Sequence, residues 1–235
     1  MPAYIGRNDL HFCITRERLI FLDAVADSYM CLDHAGTAAV LPLIRSGDTR
    51  LILNGDDVPT EARSVIESMV QRGLLTQGPA ASPLQTDRYE RGPRPARALR
   101  RFARPHAQPA RFADFLYASV RASLSLRFRP FASMIDSVRS RKKACAAHAS
   151  RASESHVAHL VERFEGLRPL YPRRYLCLFD SLALFEWLLR HGIVARWVFG
   201  VRADPFAAHC WLQIDDLVLN EALDHAREFE PIMVI

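Results

Sequence analysis

Six prolines (79, 83, 93, 95, 105 and 109) fall within residues 77–111 of this 235-residue chain, and neither a helix nor a ladder runs through such a stretch intact. The same segment holds eight arginines (88, 91, 94, 97, 100, 101, 104 and 111), which repel one another and extend the backbone. A chain interrupted in this way folds as two parts. The expected division is a module over 1–77, an Arg/Pro-rich linker over 78–110 and a domain over 111–235. Charge changes along the chain in the same sense. Residues 1–77 carry 7 basic and 10 acidic side chains, 78–151 carry 16 and 4, and 152–235 carry 8 and 12. A basic stretch can bind nucleic acid, but only Tyr89 and Phe102 interleave with the arginines, so base stacking has little to use. A solvated linker is the expectation.

Composition adds few constraints. A hydrophobic fraction of 49% and a mean hydropathy of −0.04 supply a core without a membrane segment. The densest apolar run, Ala38 to Ile44, is seven residues and contains Pro42, far short of the ~18 a membrane helix needs. The N-terminal residues lack a charged-then-apolar signal layout. Five scattered cysteines (13, 31, 145, 177 and 210) do not form a disulfide framework. A cytoplasmic protein with reduced thiols is expected.

Before the linker, His11–Thr15, Leu19–Asp23 and Tyr29–Asp33 read as short strands, with Ala24–Ser28 as a turn. Gly36–Arg45 reads as a helix. Thr60–Arg72 is a clearer one, with Thr60 as its cap, Val65, Ile66, Met69 and Val70 as its apolar face, and Gly73 as its stop. This is a small α+β module of winged-helix kind. DNA binding is not expected, because Thr60–Arg72 balances two arginines with two glutamates and the module is net negative. A peptide role fits better, since a strand such as Tyr29–Asp33 can accept an added strand beside an apolar helix. Tyr29, Cys31, Val65 and Met69 are the candidate groove residues; alternatively they fill a small core.

After the linker, Arg111–Phe128 has Phe112, Phe115, Leu116, Val120, Leu124 and Phe128 at helical spacing, and helices follow from Pro130 to Arg139 and over Ser153–Phe164. A fourth helix starts near Cys177, with Leu178, Leu182, Phe185 and Leu189 as its apolar stripe and Gly192 as its stop. Strands then run over Val194–Val201, His209–Ile214 and Leu217–Glu221, which again gives α+β. A thiol at a helix start is acidified by the helix dipole, and the unpaired N–H groups there can hold an oxyanion. In the strand 209–214, His209, Trp211 and Gln213 share one face while Cys210, Leu212 and Ile214 share the other. His209 is thereby free to meet Cys177, and Cys210 packs in the core. Cysteine and histidine on two rigid elements form a nucleophile–base pattern.

These residues carry a family resemblance. Cys-Leu-x-x-Ser-Leu-Ala-Leu (177–184), His-Gly-x-x-Ala (191–195), Gly-Val (200–201) and Phe-x-Ala-His-x-Trp (206–211) resemble the leader peptidase of bacterial lasso-peptide biosynthesis, a transglutaminase-like (papain-like) cysteine peptidase. The Gly36 helix, the spacing to Thr60–Arg72 and the Gly73-Leu74-Leu75 ending resemble the RiPP recognition element often fused to it. The resemblance implies that the N-terminal module grips the leader of a ribosomally made precursor peptide and the C-terminal domain hydrolyses the leader–core bond. An asparagine-synthetase-like lasso cyclase, the implied partner, would then close the freed core amine onto an acidic side chain. It implies Cys177 as nucleophile and His209 as general base and later acid, with no cofactor.

For the third member the family places an aspartate about a dozen residues after the histidine, and here that position holds Glu221. Hairpin geometry leaves two solutions. A two-residue turn at Asp215-Asp216 sets Asn220 opposite Trp211 on the His209 face, and a three-residue turn over Asp215–Leu217 sets Glu221 there. Glu221 is preferred, because a carboxylate both orients and stabilises an imidazolium. No glutamine lies between 109 and 176, so the backbone N–H groups at Cys177 are the expected oxyanion donors.

Cys145, His148, His156 and His159 have ligand-like spacing, but their Arg/Lys- and Ala/Ser-rich surroundings are not a compact metal loop, and no metal is expected. No phosphate-cradling glycine loop and no Gly-x-Ser-x-Gly elbow is present. Two other activities would use the same residues: an acyltransferase built on the Cys-His pair, and a non-catalytic precursor-peptide binding module.

Overall fold

The computed structural model describes residues 2–44, 51–56, 58–79, 94–99, 112–146 and 152–235. Most of the expected linker, 80–93 and 100–110, lies outside the described residues. Two compact units form. One comprises Met1–Arg91, Val201–Ala207 and Glu230–Met233, and the other Gly92–Gly200, Ala208–Phe229 and Val234–Ile235.

The N-terminal elements are β1 (Pro2–Gly6), β2 (Leu10–Thr15), β3 (Arg18–Asp23), β4 (Ser28–Cys31), α1 (His34–Val40), β5 (Ile52–Asn54), α2 (Thr60–Gln71) and β6 (Leu75–Pro79). The three expected strands become the antiparallel sheet β2-β3-β4. Arg16 and Glu17, both at positive φ, form the two-residue turn that pairs Thr15 with Arg18. A second sheet, β5-β1-β6, has no counterpart in the sequence reading. Asp33 caps α1 by accepting the Gly36 N–H at 2.7 Å, and Thr37 Oγ1 accepts the Leu19 N–H at 3.1 Å, which ties α1 to β3. Thr60 does not cap α2. Pro59 stands at the cap, and Thr60 is the first helical residue. Gly73, at φ +68°, stops α2 as expected. Leu19, Phe21, Val40, Leu53, Ile66 and Met69 meet in one core.

The C-terminal elements are β7 (Arg97–Ala98), α3 (Phe112–Phe128), α4 (Phe131–Ala146), α5 (Glu154–Leu167), α6 (Cys177–Arg190), β8 (Arg196–Ala203), β9 (Phe206–Ile214), β10 (Leu217–Val218), α7 (Leu223–Arg227) and β11 (Glu230–Val234). The strands form one sheet in the order β11-β8-β9-β10-β7. Within the expected linker, Arg97 is tied down by ion pairs to Glu154 and Asp216, both at 3.0 Å.

Helix α6 is buried almost all round. Every residue from Phe179 to Leu188 except Asp180 is buried, which exceeds the single stripe expected and marks a central helix. Glu186 on it is 3% exposed and ion-paired with both Arg121 of α3 and Arg141 of α4. Helix α3 turns a different face inward from the one its large residues suggested. Phe115, Ala118, Ser119 and Ala122 are buried, and Phe112, Leu116, Val120, Leu124 and Phe128 are 39–74% exposed. The small residues let α3 lie close to α6, and that contact outweighs the burial of the larger stripe.

Candidate active site

The chain enters α6 under tight local control. Asp180, in the first turn, accepts the Leu176 N–H at 2.7 Å, and Asp180 N donates to Leu176 O at 2.8 Å. The first N–H groups of the helix, those of Cys177, Leu178 and Phe179, have no carbonyl partner within it. Asp180 is in turn ion-paired with Arg168, which is 3% exposed. The Arg168 guanidinium also donates to the carbonyls of Tyr171, Arg173 and Arg174 at 3.0–3.1 Å and stacks on Tyr175, 4.4 Å from the ring centre. One buried cation thus fixes the segment that delivers Cys177. Neither residue was singled out from the sequence, although an aspartate in the first turn beside the cysteine is a readable signal.

Cys177, His209 and Glu221 come together at this helix start. His209 Nε2 lies 2.6 Å from Glu221 Oε2, and the imidazole also hydrogen-bonds Cys177. With Nε2 engaged by Glu221, the nitrogen that faces the thiol is Nδ1. The His209 ring is enclosed by Phe229 at 5.3 Å, His225 at 5.1 Å and Trp211 at 6.2 Å between ring centres. Gly200 makes room for part of this wall, since a Cβ there would meet Phe229 at 2.8 Å and the Trp211 ring at 2.9 Å.

The hairpin places Glu221, and not Asn220, against His209, by a route other than strand alternation. The turn has two residues, Asp215 and Asp216, with Ile214 paired to Leu217. By alternation Glu221 should then point away, but the last backbone hydrogen bond of the pairing is Leu219 N–H to Leu212 O at 3.0 Å, and alternation lapses beyond it. Asn220 turns its Oδ1 to the Leu212 N–H at 2.7 Å, and Glu221 swings to His209.

Cys210 is 3% exposed, as expected of a core residue, but it is not remote from Cys177. Its thiol and its backbone N–H both hydrogen-bond the Cys177 sulfur, and its Sγ lies 3.3 Å from Ser181 Oγ. Donation from the Cys210 thiol and then from His209 outweighs partial burial and holds the Cys177 pKa at about 4. Burial opposes charge on His209, yet its bonds to Cys177 and Glu221 win and raise its pKa. Burial, followed by the neighbouring Cys177, pushes the Cys210 thiol well above the usual range. The two thiols are thus sorted into an ion and a proton donor.

A cleft of about 330 Å³ opens over the sulfur, lined mainly by apolar surface from Phe164, Tyr175, Leu176 and Leu184. The donor atoms of His209, Glu221 and His225 lie within 4.8 Å of one another, a spacing a metal could use, but the His209–Glu221 hydrogen bond already engages two of the three. Of the other ligand-like run, His148 lies outside the described residues, and the Cys145 thiol points to Leu189 O at 3.8 Å.

In the N-terminal unit, Tyr29 and Cys31 sit on β4, the outer strand of its sheet, and Val65 on α2 is half-buried. Met69 is 2% exposed in the core and is not a groove residue, because a bound peptide would reach it only by opening the module. A mainly polar hollow of about 640 Å³, lined by Tyr4, Pro59, Arg63 and Glu67 among others, includes none of the four.

Among the described residues, no helix is long and apolar enough to cross a membrane. No curated protein and no solved structure matches the chain. Residues 120–234 match the family model of the transglutaminase-like superfamily, which generally contains cysteine-type enzymes, and the C-terminal region that carries Cys177, His209 and Glu221 is accordingly a transglutaminase-like domain.

Proposed function

We propose that this chain is a cytoplasmic cysteine peptidase that removes the leader from a ribosomally made lasso-peptide precursor. The observation that carries the reading is the Cys177–His209–Glu221 array at the mouth of an apolar cleft, with the cysteine held as a thiolate beside an imidazole whose pKa is raised. The Cys177 thiolate attacks the carbonyl before the scissile bond, and the free N–H groups at the start of α6 receive the oxyanion. His209 delivers a proton from Nδ1 to the departing core amine, leaving an acyl-enzyme. The same nitrogen then takes a proton from water, which attacks the thioester and releases the leader acid. Glu221 orients the ring and stabilises its charge throughout. Nothing in this sequence of steps calls for a metal or a cofactor.

Residues 1–77 act as the leader-recognition module, with the leader adding as a strand to the β4 edge beside Tyr29 and Cys31 and against Val65. Residues 78–110 serve as the linker to the catalytic domain. The freed core passes to an asparagine-synthetase-like cyclase.

The test is mass spectrometry of the precursor incubated with wild-type protein and with Cys177→Ala, each with and without the cyclase. A leader-sized loss with wild type alone is the expected result. Cleavage by Cys177→Ala sinks the mechanism, and a product heavier by an added amine assigns acyl transfer instead. Binding without cleavage, even with the cyclase present, assigns a binding module.

A further inference from the structure

We infer that Cys210 is a positioning residue for the Cys177 nucleophile: its buried thiol and its backbone N–H complete, with the His209 imidazole, a three-donor cradle around the Cys177 sulfur. The inference rests on the peptidase reading above and adds a residue to it.

The hydrogen-bond inventory around Ser181 carries the argument. Ser181 Oγ has a single proton and spends it on the carbonyl of Cys177, 2.5 Å away. The same oxygen accepts the Trp197 indole N–H at 2.8 Å. What it turns toward Cys210 Sγ, at 3.3 Å, is therefore a lone pair, and the Cys210 S–H is the donor in that contact. This proton thus has two acceptors within reach, Ser181 Oγ and the Cys177 sulfur. While Cys177 is a neutral thiol, Ser181 is a sufficient partner. When Cys177 ionises, the charged sulfur is the stronger acceptor, and the proton turns to it without any heavy atom moving. Ser181 and Trp197, both buried, hold the receiving carbonyl and the waiting thiol in place, so the cradle is organised before the charge arrives.

Burial keeps the two roles apart. Cys210 is closed in by the strand and α6, and a second negative sulfur beside Cys177 would be both desolvated and repelled. Cys177, at the open end of the helix with an imidazole beside it, is the sulfur that ionises. A cysteine present only to fill volume would have no effect on this division.

The discriminating experiment is the pH dependence of iodoacetamide alkylation at Cys177, read by peptide mapping on the full chain. Wild type, Cys210→Ser, Cys210→Ala and Cys210→Val are compared, with kcat/KM for precursor cleavage followed over the same pH range. Wild type is expected to alkylate with a midpoint well below neutral. Cys210→Ala and Cys210→Val, which lack the side-chain donor, are expected to move that midpoint up by about one unit, a tenfold loss of thiolate below it. Cys210→Ser, which keeps a donor, is expected to return it toward wild type, and the acid limb of kcat/KM should move in parallel. Valine fills the lost volume, so a folding defect of the alanine variant leaves the test intact, and the serine variant reads the donor independently. A wild-type midpoint in folded Cys210→Ala or Cys210→Val overturns the inference. A wild-type protein that alkylates only above pH ~8, where a free thiol ionises, overturns the active-site reading itself.

Discussion

His209 gives Nε2 to Glu221 at 2.6 Å and reserves its other ring nitrogen for Cys177. This polarity makes the pair an ion pair over a definite pH window. The Cys177 pKa is lowered to about 4, so the thiolate is lost only as pH falls through that region. The His209 pKa is raised above its ordinary 6.5 by its bonds to Cys177 and Glu221, so the imidazolium extends further toward the alkaline side than that of a free histidine. A bell-shaped kcat/KM profile is therefore expected, with its acid limb near pH 4 and its alkaline limb above 6.5, the two apparent values belonging to the coupled pair. A single limb rising near pH 8–9 would show an ordinary thiol instead.

Glu221→Gln keeps a hydrogen-bond acceptor but removes the charge that faces the imidazolium. Its kcat is expected to fall about a hundredfold or more, with KM little changed and the alkaline limb moved down. Asn220→Ala should leave kcat within a few fold, while losing about 1 kcal/mol of stability, because its side chain serves the Leu212 N–H. Steady-state kinetics beside thermal unfolding reads both. A larger catalytic loss in Asn220→Ala than in Glu221→Gln would make Asn220 the third member.

Arg168→Lys is not a conservative change here. A lysine cannot serve Asp180 and three separate carbonyls with a planar fork, nor stack on Tyr175 in the same way. The segment entering α6 then loses its anchor, and kcat/KM is expected to drop at least tenfold while Cys177 remains alkylatable. Arg168→Met should cost more, since it leaves Asp180 unpaired, and a fall of about 3 kcal/mol in unfolding free energy is expected. Chemical denaturation checks this. Wild-type kcat/KM in Arg168→Lys would refute the positioning role.

What was readable in the sequence follows from the range over which each signal acts. Cys177 at a helix start and His209 on a strand were legible because each depends on a local period. Glu221 was reachable only as one of two options, since alternation along a strand carries no information about where the ladder ends. The sheet β5-β1-β6 left no trace, because Pro2, Gly6, Gly78 and Pro79 interrupt the alternation that marks a strand. The inward face of α3 is not legible from side-chain size, because Ala118, Ser119 and Ala122 face the core. Parity places Cys210 on a face of β9 but does not reveal that α6 begins within reach of it.

The leader edge proposed for the N-terminal module and the core of that module predict different effects. Tyr29→Ala at the β4 edge is expected to weaken binding of a labelled leader to the full chain about fivefold or more, while the lost ring contact with Phe206 costs only about 1 kcal/mol of stability. Met69→Ala removes a side chain that is 2% exposed and should cost about 2–5 kcal/mol of stability instead. Fluorescence anisotropy and thermal unfolding read the two effects. Undiminished leader affinity in Tyr29→Ala would place the leader elsewhere, with the hollow beside Tyr4 and Arg63 the next surface to examine.

Gly200→Ala tests whether the wall behind His209 matters to catalysis. The added Cβ would stand 2.8 Å from Phe229 Cβ and 2.9 Å from the Trp211 ring, both closer than van der Waals contact allows, so both must give way. Overpacking of this kind costs about 1–3 kcal/mol of stability. Both displaced groups enclose the His209 ring, so the imidazole loses part of the packing that fixes its angle toward Cys177. The expected signature is a lower kcat with KM nearly unchanged, accompanied by slower alkylation of Cys177 near neutral pH. A variant that loses stability but keeps kcat would show that Glu221 alone suffices to hold the ring.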